Sequence, residues 1–117
     1  MKNIAVYSGD SNICLSLLIY LQNEYNVTTT TNFNILKDIT NCIKFDLIII
    51  DSEPTKSIET FCKETNEQHP CTPIVFTYVF KNNNKVIEKN LRKYTNSIFY
   101  KPVDLYEISK HLESLLA

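Results

Sequence analysis

Phe45–Pro54, FDLIIIDSEP, is the stretch whose reading decides the fold. Leu47, Ile48, Ile49 and Ile50 follow one another without a polar break, and a carboxylate stands at each end, Asp46 and Asp51. A half-exposed strand would alternate and an amphipathic helix would interrupt the run every third or fourth residue. An unbroken β-branched run of this length reads as a central strand, Asp46–Asp51, covered on both faces. It is expected to be the most buried element of the chain. Cover on both faces comes from helices that cross over between parallel strands.

Working outward, each flank supplies those units. Upstream, Asn34–Asn41 places Ile35, Leu36 and Ile39 at helical spacing, and Asn26–Thr30 is rich in β-branched residues. Asn12–Asn23 is helical with Ile13, Leu17, Tyr20 and Leu21 on one stripe, and Lys2–Ser8 is a short apolar strand. Downstream of Pro54 a helix carries Ile58, Phe61, Cys62 and Thr65, ended by His69 and Pro70. Pro73–Tyr78 reads as a fourth strand, Asn82–Asn84 as a turn, and Ile87, Leu91 and Tyr94 as a fourth helical face. Ser97–Tyr100 is a fifth strand. Asp104 caps the last helix, with Glu107 completing a capping box and Leu105, Ile108, Leu112 and Leu115 facing inward. Five βα units with helix-length crossovers imply parallel pairing, right-handed connections and a doubly wound α/β sandwich. In such sheets the functional crevice lies beyond the carboxyl ends of the strands, among the loops after Ser8, Asp51, Tyr78 and Tyr100.

Composition narrows the function classes. The chain has 117 residues, 44% hydrophobic and 21% charged, which suits one globular domain over 1–117. Its net charge of −1 supplies no field for tracking a phosphate backbone, so nucleic acid is not an expected partner. The longest apolar stretch, Ile13–Leu21, is broken by Ser16 and is short of the roughly 20 residues of a membrane span, and the start carries no signal-peptide pattern. Cys14, Cys42, Cys62 and Cys71 form no CxxC pair and read as reduced packing residues of a cytoplasmic protein, and the irregular spacing of Cys62, His69 and Cys71 reads as a surface loop and not as a metal site. With Gly9 the only glycine there is no phosphate-cradling loop, which weighs against a flavodoxin-like binder of flavin or nucleotide.

Four segments at the carboxyl edge, IAVYSGDSNI (4–13), FDLIIIDSEP (45–54), TPIVFTY (72–78) and SIFYKPVD (97–104), resemble the receiver domain of response regulators, the CheY-like family. The likeness runs over essentially the whole chain, with a carboxylate ending the third strand and a Lys-Pro fifty residues later. It implies a flavodoxin-like (βα)5 fold with strand order 2-1-3-4-5. It implies Asp51 as phosphoacceptor, Lys101 with Thr77 or Tyr78 as contacts to the phosphoryl group or as ion-pair partners, and a cis peptide between Lys101 and Pro102. In the family a magnesium ion is held by acidic residues after the first strand together with the acceptor carboxylate, so Asp10 and Asp51 are the metal candidates here. An ungapped match puts Ser8 and Gly9 where that acidic pair stands, and leaves Asp10 one position further on, at a helix start. The hydroxyl position at the end of the fourth strand falls on Tyr78, with Thr77 one residue early and facing away; Tyr78 is expected to cover the crevice. The aromatic position of the fifth strand is Ile98, and the SEPTKS loop (52–57) has no glycine and a Pro54 slightly early.

The reading that follows is an atypical receiver in two-component or phosphorelay signalling, acting mainly as a protein-interaction module with little dependence on phosphorylation, without enzymatic turnover and without a cofactor. The alternative is a magnesium-dependent receiver phosphorylated on Asp51 by a sensor histidine kinase. Expected partners are a sensor kinase, an output domain or a second copy. Two surfaces could carry them: the outer side of the first helix, with Leu15, Leu18 and Ile19, and the region from Val86 through Tyr94 to Tyr106, made basic by Lys81, Lys85, Lys89, Arg92 and Lys93.

Overall fold

The computed structural model describes residues Met1–Ala117. Five parallel strands, β1 (Asn3–Ser8), β2 (Asn26–Thr30), β3 (Leu47–Asp51), β4 (Ile74–Tyr78) and β5 (Ser97–Tyr100), form one sheet in the order β2-β1-β3-β4-β5. The helices are α1 (Ser11–Leu21), α2 (Phe33–Cys42), α3 (Lys56–Gln68), α4 (Lys85–Leu91) and α5 (Leu105–Leu116), with a single 3-10 turn at Asn82–Asn84 before α4. The doubly wound α/β architecture and the strand order expected from the sequence are both present. No helix is long and apolar enough to cross a membrane.

β3 is central because its LIII run can be buried on both faces: Leu47 to Ile50 are each at most 2% exposed. β4 is equally buried along its whole length, so β3 is not alone in this. Alternation along the strands divides the core in two. Ile4, Val6, Leu47, Ile49 and Val75 pack against Leu17 and Leu21 of α1 and Ile108 and Leu112 of α5. Ala5, Ile48, Ile50, Ile74, Phe76 and Tyr78 pack against Leu36 of α2, Ile58, Phe61 and Cys62 of α3 and Leu91 of α4.

Helix starts follow local chemistry. The side chains of Asp10, Asn32, Thr55 and Asp104 each accept from a backbone N–H of the first turn of α1, α2, α3 and α5. At α5 this is the whole of the side-chain cap; Glu107 does not return a bond to Asp104, so the expected capping box is only half formed. On α1 the inward stripe is Cys14, Leu17 and Leu21, while Tyr20 is 43% exposed, a correction to the expected stripe. Cys14 and Cys62 are buried packing residues, but Cys42 and Cys71 lie on the surface.

Candidate functional site

Parallel register brings the ends of the three middle strands level. Ser8 of β1 pairs with Asp51 of β3, and Asp51 pairs with Thr77 of β4. Each stands two residues beyond a core residue of the α1/α5 layer (Val6, Ile49, Val75), so all three side chains leave the sheet on that face. The consequence is a carboxylate flanked by two hydroxyls. Ser8 Oγ donates to Asp51 Oδ2 at 2.7 Å and Thr77 Oγ1 donates to Asp51 Oδ1 at 2.6 Å. Both are short, as befits hydroxyls facing an ionised acceptor.

Lys101, just past β5, closes the fourth side. Its Nζ lies 3.2 Å from Asp51 Oδ1 and 3.4 Å from Oδ2, with 28% of the lysine side chain exposed against 8% of the aspartate's. The backbone fixes this loop too, since the Lys101 N–H donates to the Tyr78 carbonyl and the Ser52 N–H to the Thr77 carbonyl. The Lys101–Pro102 peptide is cis. Asp51, Ser52, Glu53, Tyr78, Val79 and Lys101 line an open depression of about 180 Å³ at this edge. Glu53 is tied across it by Lys81 at 3.5 Å and by the Asn84 side-chain amide at 3.3 Å, which links the loop after β3 to the loop after β4.

Two expectations change here. Thr77 does not face away; the register of β4 on β3 puts its hydroxyl on the carboxylate. Tyr78, one residue on, is turned to the opposite face, where it is 1% exposed and donates its hydroxyl to Glu88 of α4. Its hydroxyl is engaged there and not at Asp51, so Tyr78 lines the depression without laying its ring over the carboxylate. Sequence reasoning also missed Ser8 as a donor to Asp51, although the matching parity of Ser8, Asp51 and Thr77 beyond their apolar runs is a usable signal.

The residues fit a divalent cation poorly. Magnesium asks for several oxygen ligands in octahedral array, usually with more than one carboxylate. Gly9 contributes no side chain, and the Ser8 hydroxyl gives its proton to Asp51 while accepting from the Asp10 N–H at 3.0 Å. Asp10 itself caps α1, its Oδ1 accepting from the Asn12 N–H at 2.9 Å. No three His, Cys, Asp or Glu side chains group to hold an ion, and every buried side-chain polar atom already has a partner. Asp51 is a carboxylate satisfied by two hydroxyls and an ammonium. Burial pushes the Cys14 thiol up, and the charges of Asp51 and Asp10 add to this, although a backbone hydrogen bond at Ser8 works the other way. Cys14 is 5% exposed and packs on the inner side of α1.

A sheet of order 2-1-3-4-5 with a carboxylate and a lysine at its carboxyl edge is the arrangement found in the receiver-domain fold, and solved structures agree on the fold. The chain is similar to a two-component response regulator from Clostridium difficile, at 21% identity and TM-score 0.83 over 99% of this chain and 96% of that one. It is similar to the response regulator protein TrrA from Thermotoga maritima in complex with Mg(2+)-BeF, at 21% identity and TM-score 0.84 over 99% and 100%. It is also similar to the chemotaxis protein CheY4 from Vibrio cholerae, at 21% identity and TM-score 0.81 over 99% and 99%. No protein-family model matches the sequence, and no curated protein matches it. At these identities the likeness is one of fold: the chain has the fold of a response-regulator receiver domain.

Proposed function

We propose that this chain is an atypical receiver of a two-component or related signalling pathway, and that it works by binding protein partners in a way that depends little on phosphorylation. The observation that carries the reading is the commitment of both Asp51 oxygens to Ser8, Thr77 and Lys101, beside a β1–α1 turn whose one carboxylate caps a helix. Phosphoryl transfer to a carboxylate builds negative charge that has to be neutralised by cations. Lys101 is the one cation in contact with Asp51, and neutralising the resting carboxylate already occupies it.

The partner surface in this reading is the face of α4 and α5 around Val86, 76% exposed, and Tyr106, 61% exposed, bordered by Lys81, Lys85, Lys89 and Lys93. Its chemistry is complementary to an acidic, partly apolar protein surface, whether a kinase, an output domain or a second copy.

A second reading keeps Asp51 as a phosphoacceptor for a sensor kinase, and the convergence of Thr77 and Lys101 on its oxygens is what favours it. The deciding experiment is intact-mass measurement after incubation with acetyl phosphate, with and without magnesium. The proposed reading expects no phosphoryl mass gain in either condition. A gain that requires magnesium and disappears in Asp51→Asn would establish the second reading instead.

A further inference from the structure

On the sheet face opposite Asp51, a polar cluster that the signalling site does not use is built on two buried residues, Tyr78 and Glu88, and closed at the surface by Tyr100 and Arg92. α4 has seven residues, and only Glu88 and Leu91 of them are buried. An inward-facing glutamate is a poor choice for a short helix unless its carboxylate is fully met by donors. Here it is met three times over. The Tyr78 hydroxyl donates to Glu88 Oε1, and the Tyr100 hydroxyl reaches Oε1 at 2.8 Å and Oε2 at 3.0 Å. Arg92, one turn on, donates from Nε to Oε2 at 3.3 Å and from its terminal nitrogen to the Tyr100 hydroxyl at 3.2 Å.

Aromatic edges brace the same unit. Tyr78 meets Phe76 at 5.8 Å and Tyr100 at 5.7 Å between ring centroids, and Tyr100 meets Phe80 at 5.2 Å, all edge to face. Tyr78 and Tyr100 are direct partners in the β4–β5 pairing, so one carboxylate ties two adjacent strands to the helix above them. Burial alone would raise the Glu88 carboxyl; the two tyrosine hydroxyls and the Arg92 charge overcome this and hold it below the usual range.

We propose that Tyr78, Glu88, Tyr100 and Arg92 form a conformational lock that holds α4 and β5 in one arrangement, so that the α4 surface is displayed whatever the state of Asp51. The four are positioning residues. Thr77 and Tyr78 are consecutive but face opposite layers, so the hydroxyl at Asp51 and the hydroxyl at Glu88 are separate side chains with separate partners. A change at the carboxylate therefore has no hydroxyl shared with the lock through which to act. The use of the lock in partner display rests on the proposed signalling function; its mechanical part does not.

The test is hydrogen exchange of the full chain, read on the segment 85–95 and on β5. Wild type is expected to protect the segment as a single population. Glu88→Gln, and independently Tyr78→Phe and Tyr100→Phe, are expected to speed its exchange by roughly tenfold for each charge-assisted hydrogen bond lost or weakened, with α1 and α2 unchanged. If Glu88→Gln does not fold, the two phenylalanine variants decide the matter. Wild-type protection no higher than in the variants, or two exchanging populations of α4 in wild type, would overturn the lock, as would a change at 85–95 on adding beryllofluoride and magnesium. A phosphoryl adduct on Asp51 that leaves 85–95 unaltered would refute the expectation that Asp51 takes no phosphoryl group and leave the lock standing.

Discussion

Replacing Asp51 by asparagine discriminates between an acidic metal pocket and the donor-ringed carboxylate described here, because the two predict opposite signs. Where several carboxylates crowd one site, neutralising one relieves repulsion and stabilises the fold. Around Asp51 there are two hydroxyls and one ammonium, and no second carboxylate makes contact. Asparagine keeps the shape but offers one oxygen, so one hydroxyl keeps a neutral bond while the other must turn to accept from the amide nitrogen; both charge-assisted bonds are lost, at about 1 kcal/mol each. The Lys101 pair adds about 0.5 kcal/mol at most, because the lysine is partly exposed and screened. Asp51→Asn is therefore expected to destabilise the protein by about 2 kcal/mol, a fall in Tm of about 8 °C for a domain of this size. Urea denaturation at neutral pH with an unchanged m-value is the assay. A variant as stable as wild type, or more stable, would refute the reasoning.

Other consequences can be measured separately. Asp10→Ala should cost about 1 kcal/mol, the usual loss of an N-cap, and leave the response to Asp51→Asn unaltered, as double-mutant urea titrations would show. Glu88 has a lower pKa folded than unfolded, so it contributes stability above the ordinary carboxylate range and loses it as pH falls through its folded value; urea midpoints followed into acid should show this limb in wild type and a shallower one in Glu88→Gln. Cys62 is wholly buried and its thiol is pushed up to about 12 by burial, so thiol reagents should modify the exposed Cys42 and Cys71 in the native protein and reach Cys62 only on unfolding, as mass spectrometry would record.

The elements legible from the sequence were those whose side chains meet a single demand. The LIII run of β3 has one use, burial on both faces, and the stripe Ile58, Phe61, Cys62 and Thr65 marked the inner side of α3. α1 was harder, because Leu15, Ile19 and Tyr20 are apolar yet exposed, so its periodicity does not single out the buried face. At the crevice, Asp51 and Lys101 were singled out by the resemblance to receiver domains, and the structure brings them together. Thr77 could not be placed by an ungapped match, since one residue of slip in β4 reverses the side on which a side chain emerges. The alternation Ile74, Phe76, Tyr78 against Val75, Thr77 within β4 held the answer, for the larger residues fill the α3/α4 layer and leave Thr77 beside Asp51. Glu88 was illegible for a different reason: nothing local to α4 distinguishes a buried glutamate from a solvated one when its donors, Tyr78 and Tyr100, come from distant strands.

The oxygens of Asp51 are engaged by Ser8, Thr77 and Lys101, and we propose that they hold no divalent ion. Paramagnetic manganese, titrated against the isotopically labelled chain, tests it most directly through line broadening of the backbone amides. The account predicts no broadening centred on residues 8–10, Asp51 and Lys101 at millimolar ion. Selective broadening there, reversed by a chelator and abolished in Asp51→Asn, would contradict it.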